Sequence, residues 1–411
     1  MMRFIYNIFL FKASIIIRFL SLFNSKIKKG VIGRSETFNK IHQNLNSSDK
    51  TIWFHCASLG EYEQGLPVFE AIRLHYPKHK IILSFFSPSG YEIRKNTKIA
   101  DVVVYLSLDT SKNAKQFINI LKPELSIFVK YDIWPNYLNE LNKLNLKAVL
   151  ISAAFRPNQI YFKWYGGLFT KALKSFDYIF TQNNISKKLL SSINYNNVTV
   201  SGDTRFDRVN NQLKTDNTLS FIEEFKDNKT TIVFGSSWEE DENVFIDFIN
   251  NSNTSTKFII APHEIKDETI KRLQNNIKKD IVLFSNKEHK NLTNHKVFII
   301  DTIGLLSKIY RYADIAYVGG AIGKTGLHNI LEPATFGVPV LFGNNHKKFP
   351  EAKALIDFGG GFEISSKKSF NTVITSLTED KILFTNSSKA SKAFIASQLG
   401  AKQAITEYLF K

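Results

Sequence analysis

The chain has 411 residues, enough for two or three domains at about 150 residues each. With 43% apolar and 22% charged residues it is neither disordered nor fibrous, and its single cysteine, Cys56, excludes a disulfide framework or a Cys-based metal cluster. The net charge of +17 favours anionic partners, but no basic arm, zinc finger or RNA-recognition signature points to nucleic acid.

Residues 4–23, FIYNIFLFKASIIIRFLSLF, are apolar but interrupted by Lys12 and Arg18, so they make a poor spanning helix. At about 100° per residue, Arg3, Asn7, Ser14, Arg18, Ser21 and Ser25 share one narrow sector, and Phe, Ile and Leu fill most of the rest. A basic run, Lys26, Lys28 and Lys29, follows. The pattern predicts a membrane-associated helix over 1–25, lying in a bilayer interface with its cations on anionic headgroups. No small-residue cleavage site follows, so a removable signal peptide is not expected.

From residue 50 short apolar runs alternate with helical stretches. Thr51–Ala57, Lys80–Phe86, Asp101–Leu106, Leu125–Val129, Ala148–Ser152 and Tyr178–Thr181 read as buried strands, with helices such as Glu61–His75 and Ser111–Leu121 between them. Near-continuous Val/Ile/Phe strands separated by helices predict a parallel sheet covered on both faces. The polar, strand-poor stretch 205–222 reads as a linker. A second α/β series follows at Thr231–Gly235, Lys257–Ala261, Ile281–Phe284, Val297–Ile300, Ile315–Gly319 and Val338–Phe342, and Asn250–Thr256 reads as a surface loop. The expected fold is therefore α/β with two Rossmann-like domains, 30–204 and 223–395, facing across a ligand cleft. A C-terminal helix over 396–411 is free to pack back on the first domain.

Three segments are candidates for chemistry. Ser58-Leu59-Gly60-Glu61 follows the first strand, where Gly60 would permit a sharp turn into a helix. Glu61 then suits a general base, or simply complements the helix dipole. Gly235-Ser236-Ser237-Trp238 opens the second series, with Ser236 or Ser237 as a helix cap or phosphate contact. His263 ends the next strand as a candidate nucleotide contact.

The third segment, 319–343, reads GGAIGKTGLHNILEPATFGVPVLFG. Its glycines, Gly323 and Gly326 among them, allow close approach to a ligand, and Lys324 could face a phosphate. A helix opening near His328 would put His328 and Glu332 on one face with Asn329 on its flank, where a carboxylate could hold ribose hydroxyls. The segment is one residue short of a P-loop and lacks the start of a dinucleotide fingerprint.

Together these motifs resemble the Kdo (3-deoxy-D-manno-octulosonic acid) transferases of lipopolysaccharide synthesis. The resemblance covers nearly the whole chain, through IWFHCASLGEYEQGLP (52–67), SFFSPSGYE (84–92), DIWPNYL (132–138), VSGDTRFD (200–207), FGSSWEEDE (234–242), IIAPHE (259–264) and GLHNILEPATFGVPVLFG (326–343). It implies a metal-independent, inverting GT-B enzyme on the cytoplasmic face of the cell inner membrane, with CMP-Kdo as donor and a lipid A precursor as acceptor. It also implies Glu61 as catalytic base, with Ser58, Gly60 and Asp132 on the acceptor side and Ser236, Asn329 and Glu332 as donor contacts.

The chain departs from the family pattern in three places. Lys130 stands where many members have the first of two acids, His263-Glu264 replaces an Arg-His pair, and Ser152–Arg156 replaces an Asn-Ala-Arg stretch. Two other functions remain compatible with the sequence: a GT-B transferase or epimerase using a UDP-sugar, and a non-catalytic membrane-surface binding protein.

Overall fold

The computed structural model of the chain describes residues 2–252 and 255–411. By backbone contacts it divides into two units, Met1–Arg208 with Leu399–Lys411, and Val209–Gln398.

The first unit carries seven parallel strands: β1 (Thr51–Cys56), β2 (Lys80–Phe85), β3 (Val102–Tyr105), β4 (Leu125–Val129), β5 (Lys147–Ala153), β6 (Tyr178–Thr181) and β7 (Val198–Val200). Their order is β3-β2-β1-β4-β5-β6-β7. The chain thus winds outward from β1 in both directions, and the gap between β1 and β4 is the point where the order reverses. Alternate residues of β1 enter opposite cores: Trp53 packs with Phe117 and Phe128, whereas Ile52 and Phe54 pack with Phe69 and Phe85. Burial on both faces explains why these strands read as unbroken apolar runs.

The second unit repeats the plan with β8 (Thr231–Ser237), β9 (Lys257–Pro262), β10 (Ile281–Leu283), β11 (Val297–Ile299), β12 (Ile315–Val318), β13 (Val340–Gly343) and β14 (Gly361–Ile364), ordered β10-β11-β9-β8-β12-β13-β14. Here the order reverses beside β8. The expected strand Val338–Phe342 begins only at Val340, because Pro339 has no N–H for the ladder and contributes just its carbonyl, to Ala316.

Some boundaries differ from expectation. The stretch 205–222 is largely helical, with helices Thr204–Gln212 and Ser220–Lys226, and the chain changes unit inside the first of these. Ile222 and Phe225 of the second helix are buried, which a linker would not require. The Asn250–Thr256 patch opens on the end of the helix Glu239–Asn251, and its residues 253 and 254, like residue 1, lie outside the described residues. The helix Ala401–Leu409 belongs to the first unit, where Ile405 and Leu409 join the core.

The N-terminal helix runs Met2–Leu20, and no described helix is long and apolar enough to cross a membrane. Its polar stripe turns out to be double. Arg3 bonds Asn136 (2.7 Å) and Glu140 (3.2 Å), and Asn7 bonds Ser111 (3.1 Å), so the first half docks on the unit's own polar groups and not on headgroups. The cause is that Asn136 and Glu140 need partners at the edge of the sheet's helical cover, where both are buried. Tyr6 adds a hydrogen bond to Asp109 (3.0 Å). Lys12 and Arg18 remain exposed, and so do Phe4, Ile5, Phe9, Phe11, Ile16 and Phe19 on the far side.

Candidate active site

In the first unit the candidate residues gather at the carboxyl ends of β1 and β4, beside the reversal. The helix Leu59–His75 starts one residue earlier than Gly60, with Ser58 in the cap position. Gly60 therefore lies inside the first turn with ordinary backbone angles. A side chain there would meet only Ser58 Oγ, at 3.8 Å, so the turn does not require a glycine.

Glu61 is engaged on both oxygens. Ser58 Oγ–H donates to Oε2, and Lys130 Nζ stands 3.9 Å from Oε1. Lys130 reaches it from just past β4 in a left-handed backbone conformation (φ 71°) and so presents a cation to Glu61.

Asp132 belongs to a neighbouring buried relay that the sequence did not reveal. His55, fully buried at the end of β1, has Nδ1 2.8 Å from Ser84 Oγ and Nε2 2.6 Å from Asp132 Oδ2. Trp53 Nε1–H donates to Ser84 Oγ (2.8 Å), and Trp134 Nε1–H is aimed at His55 Nε2 (2.9 Å). With its proton on Nε2 the imidazole satisfies Asp132; with the proton on Nδ1 it satisfies Trp134. A histidine within an apolar strand gives no periodic signal. Only its register opposite Ser84 in β2 and Phe128 in β4 brings these partners together.

In the second unit the candidates gather at the carboxyl ends of β8, β9 and β12. Ser236 sits in a left-handed conformation (φ 53°) where the β8–β9 register shifts. That kink lets Ser237 stay paired with β9, so neither serine caps the next helix. Trp238 takes the cap position, and its N–H donates to Asp241 (3.0 Å). Ser237 is buried and its hydroxyl faces Glu242 (3.4 Å), which removes it as a ligand contact.

Asp241 is the hub of the glycine turn. It accepts from Gly320 N–H (2.8 Å) and Tyr317 O–H (2.7 Å) as well as Trp238, while burial pushes its carboxyl above the usual range. Gly319 and Gly320 let the backbone pass this close: a side chain on Gly319 would overlap Asp241 and Ser236.

The rings of Trp238, His263 and His328 form a stack, with His263 4.5 Å from Trp238 and 4.4 Å from His328. Trp238 Nε1–H donates to His328 Nε2 (3.0 Å), which fixes His328 as a neutral acceptor. Burial, helped by His263, pulls His328 down to about 4, and burial also lowers His263.

The helix expected to open near His328 begins only at Leu331 and runs Leu331–Thr335. Gly326 (φ 96°) and the His328 N–H bond to Gly319 keep residues 326–329 out of the helix, and Asn329 Oδ1 accepts from Leu331 N–H at the helix start. His328 and Glu332 therefore do not share a helix face. Asn329 and Glu332 do meet, through Asn329 Nδ2 to Glu332 Oε1 (3.0 Å). Gly323 lies against the Glu240 carboxylate, and Lys324 is exposed. Among the described residues no group of three or more His, Cys, Asp or Glu side chains is gathered as a metal site.

Residues 33–208 match the family model of the 3-deoxy-D-manno-octulosonic-acid transferases. Over this segment the chain is similar to the Kdo transferases. A Kdo transferase of Haemophilus influenzae is 28% identical over 339 residues, covering 77% of this chain and 76% of the relative. A bifunctional glycosyltransferase/methyltransferase of Fusobacterium nucleatum is 24% identical over 349 residues, covering 81% of this chain but 53% of the relative, so the chain spans about half of that protein. Among solved structures, UDP-GlcNAc 2-epimerase of Neisseria meningitidis bound to UDP-GlcNAc shares the fold, with a TM-score of 0.62, 15% identity, and coverage of 88% of this chain and 99% of that one. These similarities to Kdo transferases, over most of the chain, mark it as a glycosyltransferase.

Proposed function

We propose that this chain is a Kdo transferase that moves Kdo from CMP-Kdo to a hydroxyl of a lipid A precursor, with inversion, on the cytoplasmic face of the inner membrane. The observation that carries the reading is Glu61. In a chain similar to this family, a carboxylate oriented by Ser58 and Lys130 stands at the strand-order reversal of the first unit, where open α/β sheets bind their ligands. In the proposed step Glu61 takes the proton of the acceptor hydroxyl as that oxygen bonds to the anomeric carbon. The bond from that carbon to the CMP phosphate oxygen breaks, and its electron pair leaves with CMP. Asp132, set by His55, orients the acceptor.

Donor binding falls to the second unit. Asn329 and Glu332 suit the ribose hydroxyls, and the His263 and His328 rings offer an aromatic face to the cytosine. Ser236, Lys324 and the backbone around Gly323 and Gly326 suit the phosphate. Lys324 is the cation of this set, set beside the Glu240 carboxylate that lies against Gly323, and the reading calls on no metal. The exposed apolar side of the helix Met2–Leu20, with Lys12, Arg18 and the basic run after it, supports work at an anionic membrane surface.

Incubation with CMP-Kdo and a lipid A precursor, read by mass spectrometry, tests the proposal. The expected result is a product heavier by Kdo, with release of CMP. Turnover of UDP-sugars with no Kdo transfer would instead support the second GT-B reading, which the fold alone permits.

A further inference from the structure

The first unit carries a second feature suited to a lipid surface, in the long connection that follows β5. The loop after the turn Ile160–Phe162 presents Trp164 at 95% exposure and Tyr165 at 56%, their rings in edge contact at 5.5 Å. Two large aromatic side chains left in water at a loop tip are poorly placed for a core and well placed for a membrane–water interface, where Trp and Tyr concentrate.

Beside the loop is an open cavity of about 490 Å³, lined by Phe162, Lys163, Trp164, Lys171, Lys174 and Asn194 among others. The lining includes three lysines and no carboxylate, and the sequence has no acid between Glu140 and Asp177. The loop adjoins the start of the N-terminal helix. Tyr6 meets Phe169 edge-on at 5.6 Å, and Met2 reaches within 2.9 Å of where a side chain at Gly167 would begin. That helix is itself apolar on its exposed side and has no acid before Glu36.

We infer that the Trp164–Tyr165 loop is a second membrane contact of the first unit, and that the cavity beside it receives the phosphate of an anionic phospholipid headgroup. Charge complementarity selects the occupant: three lysines without a carboxylate attract a layer of anionic headgroups and repel a second copy of a chain with net charge +17. The two contacts divide the task. The helix supplies apolar area, while the loop and its lysines supply a specific, salt-sensitive grip that fixes the unit's rotation about the helix. This second contact rests on the proposed membrane-surface role of the chain and deepens it.

The test is co-sedimentation of the full chain with phosphatidylcholine vesicles, with and without phosphatidylglycerol. Two variants are compared with wild type, W164A/Y165A and K163Q/K171Q/K174Q; Trp164 is exposed enough for its loss to spare the fold, which thermal unfolding checks. Both variants should lose about ten-fold or more in affinity for the anionic vesicles. The lysine variant should also show a flatter salt dependence. Wild-type binding by both variants overturns the inference. Wild-type vesicle binding by the lysine variant, together with competition by soluble glycerol phosphate in the wild type, would assign the cavity to a free phosphoester and overturn the headgroup assignment. No sugar donor is used, so failure here leaves Kdo transfer standing, and absence of Kdo transfer leaves this inference standing.

Discussion

Glu61 and its neighbour Gly60 separate chemistry from structure cleanly. Glu61→Gln keeps the size and the Ser58 contact but cannot take a proton, so turnover should fall about 10²–10⁴-fold while the melting temperature hardly moves. Were Glu61 only a partner of the helix dipole, the same change would cost a few tenths to about 1 kcal/mol of stability and leave turnover near normal. Rate and thermal unfolding measured on one preparation distinguish the two.

Gly60→Ala adds a methyl group that meets nothing closer than Ser58 Oγ at 3.8 Å, and alanine favours a helix over glycine by about 1 kcal/mol. The variant should be as stable as wild type or slightly more so. A raised KM for the acceptor with unchanged stability would then show that Gly60 leaves room for substrate, whereas a lower melting temperature would contradict the open space around its α-carbon. The sequence exposed Glu61 and Ser58 because strand, turn and helix are contiguous there. It could not expose the ion pair with Lys130 or the His55–Asp132 contact, since both depend on β1 lying beside β4, a pairing across some seventy residues of chain.

At the scale of elements, the ends of β8, β9 and β12 form a ring-lined platform whose state depends on pH. His328 titrates near 6.5 when unfolded and near 4 when folded, so the unfolded chain binds more protons between these values. The stability this ring contributes is complete above about pH 6.5 and is lost as the pH falls toward 4. The lowered His263 has the same sign. In thermal unfolding, the gap between wild type and His328→Gln should therefore be widest at pH 7 and close toward pH 4.5; a gap independent of pH would rule out a neutral, buried His328.

On the following helix, Glu332→Ala removes the carboxylate that Asn329 holds and should weaken CMP binding by about 1.5–3 kcal/mol in calorimetry, the loss expected for charge-assisted hydrogen bonds. Unchanged CMP affinity would reject the ribose assignment. The glycine cluster and the Asn-x-x-Glu pair were legible in the sequence, but the helix start was not. Periodicity alone let the helix run back to His328, whereas the positive φ of Gly326 and the Asn329 bond to Leu331 delay it to Leu331. The serine cap failed similarly, because a left-handed Ser236 carries the strand one residue further.

For the molecule as a whole, the proposed membrane attachment rests on the N-terminal helix. Its amphipathic pattern was plain in the sequence, but which side met protein was not: a stripe holding Arg3 and Asn7 suits a headgroup layer and a buried polar pocket equally well, and only the folded partners Asn136, Glu140 and Ser111 choose between them. Once that side is docked, the exposed side is a band of Phe and Ile. Deleting the helix would strip partners from Asp109 and Asn136 and so confuse unfolding with loss of membrane contact. Phe9→Glu with Ile16→Glu avoids this, because both side chains are more than half exposed and neither is among the residues that bond Asp109 or Asn136. Each buried apolar side chain of this size contributes about 1.5–3 kcal/mol of transfer energy, and a carboxylate on a lipid face adds repulsion from anionic headgroups. The double variant should unfold at the wild-type temperature yet move from the membrane fraction to the supernatant, and lose turnover on a vesicle-embedded acceptor far more than on a detergent-dispersed one. Undiminished membrane association at wild-type stability would show that the helix does not carry the attachment.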